Sequence, residues 1–317
     1  MARLLARYLA LAGAVVVLNF LLPRLLPGDP LDALTGGEFT GSSASLPATA
    51  RDRLRATYRL DQPLGTQFVG YLDDLRRADL GWSIARSMPV TQMIGERVPW
   101  TLGLVLTSLV IAAVGGVLLG TWAAWRAGPI RQRVVATATA LAALPEFLVA
   151  MLLLVCLSVG LGWFPLQGGR SPFGGGSLLD LVWHLALPGL TLVLATLASF
   201  LLLARGAVST LLREPYLLVA RGKGLSERRI AIQHALPNAL LPILSLFGVR
   251  LGHLFGGAVV VERVFGVPGL GLLAFEAIRA RDYPILQAVF LLGSLGVLSS
   301  SFAAELLYHH LAHRHAA

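Results

Sequence analysis

The chain has 317 residues, 56% of them hydrophobic and only 14% charged, with a mean hydropathy of +0.72. Soluble domains carry about 25% charged residues, so this composition is that of an integral membrane protein. A net charge of +9 would suggest nucleic acid for a soluble chain, but here the basic residues sit in short loops between apolar runs, which excludes that partner.

Six apolar runs, near 6–26, 100–125, 134–160, 184–204, 238–261 and 285–308, are long enough to cross a bilayer as helices. They are continuously apolar, without the alternation of an outer-membrane barrel, and a spanning backbone must satisfy its own hydrogen bonds. The expectation is an all-α membrane protein with six transmembrane helices. The first run is longer than a signal-peptide core and has no small-x-small cleavage site, so it reads as a retained helix. Pro27-Gly28-Asp29-Pro30 closes it with turn chemistry.

A long segment, 30–97, follows on the outer face. Its start, 36–50, is rich in Gly, Ser, Thr and Ala and reads as flexible. Helices are expected at 50–58 and 64–77; in the latter, Phe68, Tyr71, Leu72 and Leu75 recur at helical spacing and predict an amphipathic helix on the membrane or pore mouth. The segment is nearly neutral in charge. It is either a docking cap for a soluble partner or a folded cap without ligand contacts.

Loop charges set the topology. Arg126, Arg131 and Arg133 separate the second and third runs without an acid. Arg205, Arg213, Arg221, Lys223, Arg228 and Arg229 lie between the fourth and fifth, against Glu214 and Glu227. On the other face Arg170 is balanced by Asp180, and Arg263, Arg279 and Arg281 by Glu262, Glu276 and Asp282. Basic excess in short loops marks the cytoplasmic side; with Arg3 and Arg7 it places both termini there. The single cysteine, Cys156, falls inside the third run, which excludes an intramolecular disulfide and offers no metal cluster.

The loop 205–237 has its own architecture. Glu214-Pro215 starts a short helix, proline being tolerated at the first position. Gly222 and Gly224 break it, and Ser226 caps a second helix with Glu227 in its first turn. That helix runs past His234 to Pro237, where the fifth apolar run begins. Such a helix–turn–helix elbow, continuous with a membrane helix, can transmit a rigid-body push.

Gly224, nine residues, then His234-Ala235-Leu236-Pro237 resembles the "EAA" signature, G-x9-I-x-L-P, of permease subunits in binding-protein-dependent ABC importers. Leu60-Asp61-Gln62-Pro63-Leu64, Asp79-Leu80-Gly81-Trp82-Ser83, Glu96-Arg97-Val98-Pro99-Trp100-Thr101-Leu102, Gly256 through Glu262, Pro268-Gly269-Leu270-Gly271 and Arg281-Asp282-Tyr283-Pro284 extend the resemblance end to end. They are similar to the first, B-type, permease of the dipeptide/oligopeptide/nickel group. The resemblance implies a type I ABC importer permease fold in a bacterial inner membrane, divided as an N-terminal helix (1–30), an outer cap (31–97) and a five-helix core (98–317). It implies coupling to an ATPase through Ala220, Gly224, Leu225, Ser226, His234, Leu236 and Pro237, with Leu225 entering a cleft on the ATPase. The implied partners are a homologous second permease, two ABC ATPase subunits that carry ATP and Mg, and an extracytoplasmic solute-binding protein. Similar permeases serve dipeptides, oligopeptides, nickel chelates, glutathione and haem. Two departures stand out: Leu218 and Val219 occupy the first two "EAA" positions, and His234 replaces an aliphatic residue. His234 reads as a structural hydrogen-bond donor in preference to a pH sensor.

No G-x4-G-K-[ST] phosphate loop occurs, so ATP is not bound by this chain and the protein is not itself an enzyme. The glycine-rich 268–271 reads as an outer turn, and the histidines from His309 to His315 as incidental tail composition. The spans hold no nucleophile–base set for an intramembrane enzyme. A self-contained secondary transporter or channel is the alternative, though it leaves the elbow unexplained and no internal repeat supports it. Glu146 and Arg250 stand about 12 and 11 residues into their runs, roughly 17–18 Å deep in straight helices. A charge near mid-bilayer costs on the order of 3 kcal/mol. They are therefore expected to face the translocation path, as a mutual pair or with separate partners.

Overall fold

A computed structural model describes residues 2–25, 61–83, 85–125, 128–169, 177–252 and 254–316. The expected turn at 27–30, the glycine- and serine-rich 36–50 and the helix at 50–58 lie outside the described residues. Within them the protein is all-α, with one isolated bridge between Trp82 and Pro89. The helices are α1 (Ala2–Leu25), α2 (Leu64–Arg76), α3 (Val90–Trp125), α4 (Pro129–Ala142), α5 (Glu146–Leu153, extended by a π-helical turn Leu154–Gly160) and α6 (Leu178–Leu211). Then come α7 (Pro215–Gly222), α8 (Glu227–Ile230, extended by a π-helical turn Ala231–Ala235), α9 (Leu236–Gly252), α10 (Leu254–Phe265), α11 (Leu270–Ala280) and α12 (Tyr283–Ala316).

Four of these, α1, α3, α6 and α12, are long and apolar enough to cross a membrane unbroken. The third and fifth runs are not the straight crossings expected. Pro129–Ala142 and Glu146–Gly160 meet at 107°, with Pro145 leading into α5. Proline disfavours the α conformation in the residue before it and supplies no N–H, so the chain turns here in spite of continuous apolarity. The fifth run is divided between α9 and α10, and Ala258–Phe265 meets Leu270–Ala280 at 82°. Counting each bent pair as one span gives up to seven, bracketing the expected six.

The chain forms two compact units, Met1–Trp100 with Gly269–Leu298, and Thr101–Pro268 with Ser299–Ala317. This grouping crosses the division at residues 30 and 97 because contacts distant in sequence tie the first unit. Asn19 donates to Tyr71 Oη at 3.0 Å and to the Gln287 carbonyl at 2.9 Å. Phe20 meets Phe68 edge-on at 5.0 Å and Tyr71 at 5.7 Å. The apolar side of α2 is thus used against α1; Leu72, expected on that side, is exposed. Ser83 Oγ donates to Asp282 Oδ2 at 2.5 Å and the Ala85 N–H to the same oxygen at 3.1 Å. Asp282 is buried, and so is Glu262 of the second unit, whose Oε1 accepts from Thr101 Oγ1 at 2.7 Å. Both were counted as balancing charges of the outer loops; buried, they hold chain segments together.

The second unit is built around α6. Leu109, Ala112, Ala113 and Val117 of α3 form a core with Phe200, Ala204 and Val208 of α6 and Ala239 and Ile243 of α9. Ala138 of α4 joins Ala198 and Leu201 on another side. Gly116 and Gly120 let α3 approach α6: a Cβ on Gly116 would stand 2.6 Å from that of Phe200, and one on Gly120 would meet the Leu201 carbonyl and Ala204. Helix association in lipid depends on such small-residue contacts, since the surrounding tails are as apolar as the side chains.

Candidate coupling elbow

The elbow forms where the sequence places it, and its turn is locked by local chemistry. Helix α7 begins at Pro215 and ends at Gly222. Gly224 has φ +77°, a left-handed conformation that side chains resist. The Gly224 N–H donates to the Arg221 carbonyl at 2.9 Å and the Leu225 N–H to the Ala220 carbonyl at 3.3 Å. This double closure is the Schellman motif, which satisfies carbonyls a helix end would leave orphaned. Ser226 then caps α8, its Oγ accepting from the Arg229 N–H at 3.4 Å.

Across the turn, Arg221 Nε donates to Glu227 Oε1 at 3.1 Å, and Trp125 Nε1 donates to Glu227 Oε2 at 3.0 Å. The last residue of a membrane helix therefore holds the elbow. Leu217, Ala220, Ile230 and Ala235 form a small core of their own, with Trp125, Leu212 and Leu225 packed around it. At the membrane end Tyr216 Oη donates to the His234 carbonyl at 3.4 Å and accepts from Asn238 Nδ2 at 3.0 Å; Asn238 Nδ2 also reaches that carbonyl at 3.2 Å. The segment Glu227–Ala235 joins Asn238–Gly252 at 49°, the bend falling at Leu236 and Pro237. Leu236 packs on the α3–α6 core.

The expected coupling residues thus divide in role. Gly224, Ser226 and Pro237 shape the elbow. Ala220 is buried, and Leu225 packs in part on the elbow's own core. His234 is half-buried, and the hydrogen bonds described for it go to its carbonyl. The exposed apolar side chains are Leu218 (59%), Val219 (57%), Ile232 (53%) and Tyr216 (40%). Charge reasoning passed over Leu218 and Val219, yet they form the outward face. Arg221 and Glu227 were legible as opposite charges flanking a glycine turn. Trp125 and Asn238 carried no sequence signal, since only folding brings them near.

The other candidates lie elsewhere in the same unit. Glu146 opens α5 at the 107° break, half-buried, so its depth does not follow from counting along a straight helix. The hydrogen bond given to Arg250 is with Ser199 Oγ of α6, at 2.8 Å. Cys156 lies in the π-helical turn that ends the bent third span, and its side chain is exposed on the protein surface.

A family profile described as the binding-protein-dependent transport system inner membrane component matches residues 116–316, the elbow included. The chain belongs to that family. The permease is 37% identical over 297 residues to the glutathione transport system permease protein GsiC of Salmonella typhimurium (strain LT2), an alignment covering 93% of this chain and 91% of that one. Identity to GsiC of Escherichia coli O6:H1 is 36% over 296 residues, 93% and 91% of the two chains. Identity to the probable peptide ABC transporter permease protein y4tP of Sinorhizobium fredii is 35% over 291 residues, 92% and 90% of the two chains. The permease is accordingly a multi-pass inner-membrane subunit of an ABC importer, not an enzyme; hydrolysis resides on partner ATPase subunits, and a binding protein delivers the solute.

Proposed function

We propose that the permease imports a short peptide or peptide-like solute, glutathione among them, paired with a homologous second permease above two ATPase subunits. The observation that carries the coupling role is the clasped elbow with its apolar outer face of Tyr216, Leu218, Val219 and Ile232. A rigid, exposed apolar ridge beside a membrane helix fits a groove on a partner, as amphipathic helices do generally. Closure of the ATPase dimer on ATP would draw the two elbows together and open the path outward; hydrolysis would return it. Both termini lie in the cytoplasm on this reading, supported by the basic loops around Arg131 and Arg228. The names of the relatives, a glutathione and a peptide system, support the solute class.

The test is the whole complex in liposomes, with hydrolysis measured as the binding protein is loaded in turn with glutathione, a dipeptide, a longer peptide and a nickel chelate. Peptide-type cargo should stimulate it. Stimulation by the nickel chelate alone sinks the solute reading. A Leu218→Asp permease that still recovers the ATPase and still responds to loaded binding protein sinks the elbow reading.

A further inference from the structure

A second basic feature, distinct from the elbow, is a cleft of about 180 Å³ between the end of α3, the first two turns of α4 and the last third of α6. Ala123 and Val135 line it with apolar surface, while Arg131, Gln132, Arg205 and Ser209 supply polar groups; none of its lining residues is acidic. We propose that this cleft binds the phosphate group of an anionic phospholipid.

Five observations converge on it. The walls are fixed, because α3 and α6 touch through Gly120 and Ala204, and α4 and α6 through Ala138, Ala198 and Leu201. The pocket therefore exists before a ligand arrives. Arg131 and Arg205 line it from different helices, and arginine's planar fork of donors suits phosphate oxygens. Arg205 and Ser209 are four apart on α6, hence on one face, so a hydroxyl donor sits one turn from a charge. The level is that of a membrane surface: α3 ends at Trp125, and Arg131 lies over the Trp122 ring at 4.9 Å. Tryptophan gathers where headgroups meet acyl chains, and basic pockets between spanning helices take anionic headgroups. The volume is more than ten times the roughly 10–15 Å³ that admits one water, so a phosphodiester fits where a bare ion would rattle. The apolar wall suits the glycerol side of a lipid.

The experiment is native mass spectrometry of the purified complex in detergent, titrated with phosphatidylglycerol, with phosphatidylcholine, and with inorganic phosphate as competitor. Each arginine at a membrane surface contributes about fivefold to anionic lipid affinity, so Arg131→Gln with Arg205→Gln should weaken phosphatidylglycerol retention about thirtyfold. Arg213→Gln, outside the cleft, should change nothing. Phosphatidylcholine should not be retained above the level of the double variant. Equal retention of phosphatidylglycerol by wild type and double variant overturns the proposal. Displacement by millimolar phosphate overturns the lipid as the source and makes the ligand a soluble anion. A disulfide from Ser209→Cys, in a Cys156→Ser background, to a cysteine introduced on the second permease, with no lipid retained by the wild type, makes the cleft a subunit contact and overturns it as well. A double variant that fails to assemble is replaced by the single Arg205→Gln, for which about fivefold is expected.

Discussion

At Gly224 the chain stands at φ +77°, and the two bonds closing the turn, from Gly224 to Arg221 and from Leu225 to Ala220, depend on that angle. A left-handed residue with a side chain costs roughly 1–2 kcal/mol, more for a branched one. Gly224→Val should therefore lower ATPase recovery in a pull-down by at least about fivefold, and Gly224→Ala by less. Glu227 accepts from both Trp125 and Arg221. The charge pair is partly exposed and worth little by itself, so Glu227→Gln, which keeps one acceptor and turns an NH2 toward the other donor, should loosen the elbow less than Glu227→Ala, which removes both acceptors; hydrogen exchange over 215–235 reads the difference. Exposed Leu218 and inward-packed Leu225 give a further contrast. Leu218→Asp should leave the elbow folded and uncouple it, while Leu225→Asp should unfold it by placing a carboxylate against its core.

Among elements, the approach of α3 to α6 leaves little tolerance for an added side chain. Gly120→Leu would drive side-chain atoms into the Leu201 carbonyl, and overpacking of this kind costs about 1–3 kcal/mol. It should lower the thermal midpoint of the detergent-solubilised complex. Gly115→Ala should not, because its added methyl meets only the movable end of Leu197, at 3.3 Å. Helix α2 packs on α1 through Phe68 and Tyr71 and leaves Arg76 exposed. If the cap docks the binding protein, Arg76→Cys should crosslink to it. The background for that measurement must be Cys156→Ser, since the native cysteine is exposed. Active transport with no crosslink from Arg76 or from other exposed α2 positions would leave the cap a purely structural element.

For the molecule as a whole, Glu146 and Arg250 test how a path is lined. Opposite signs at matched depth suggested a pair, but Arg250 is bonded to Ser199 and Glu146 opens a helix at a sharp break. Neutralising either residue should impair uptake of labelled solute. Exchanging them, Glu146→Arg with Arg250→Glu, should restore nothing, and Ser199→Ala should produce a weaker form of the Arg250→Ala defect. Recovery of transport in the exchange would show that the two charges pair after all.

Composition made this a membrane protein, and continuously apolar runs without barrel alternation made it helical, because a spanning backbone must satisfy its own hydrogen bonds. The elbow was equally legible: Pro215, Gly224 and Ser226 act on their own backbone, and local chemistry reads out locally. The bend at 143–145 was hidden, since it lies inside a continuously apolar run with only Pro145 to hint at it, whereas the bend at 266–269 falls at the turn already read from Pro268-Gly269. The burial of Glu262 and Asp282, the clasp of Trp125 on Glu227, and the cleft between Arg131 and Arg205 were hidden more deeply. Each joins residues tens to hundreds of positions apart. A pattern along the chain fixes which way a helix faces; only packing of one helix on another decides what that face meets.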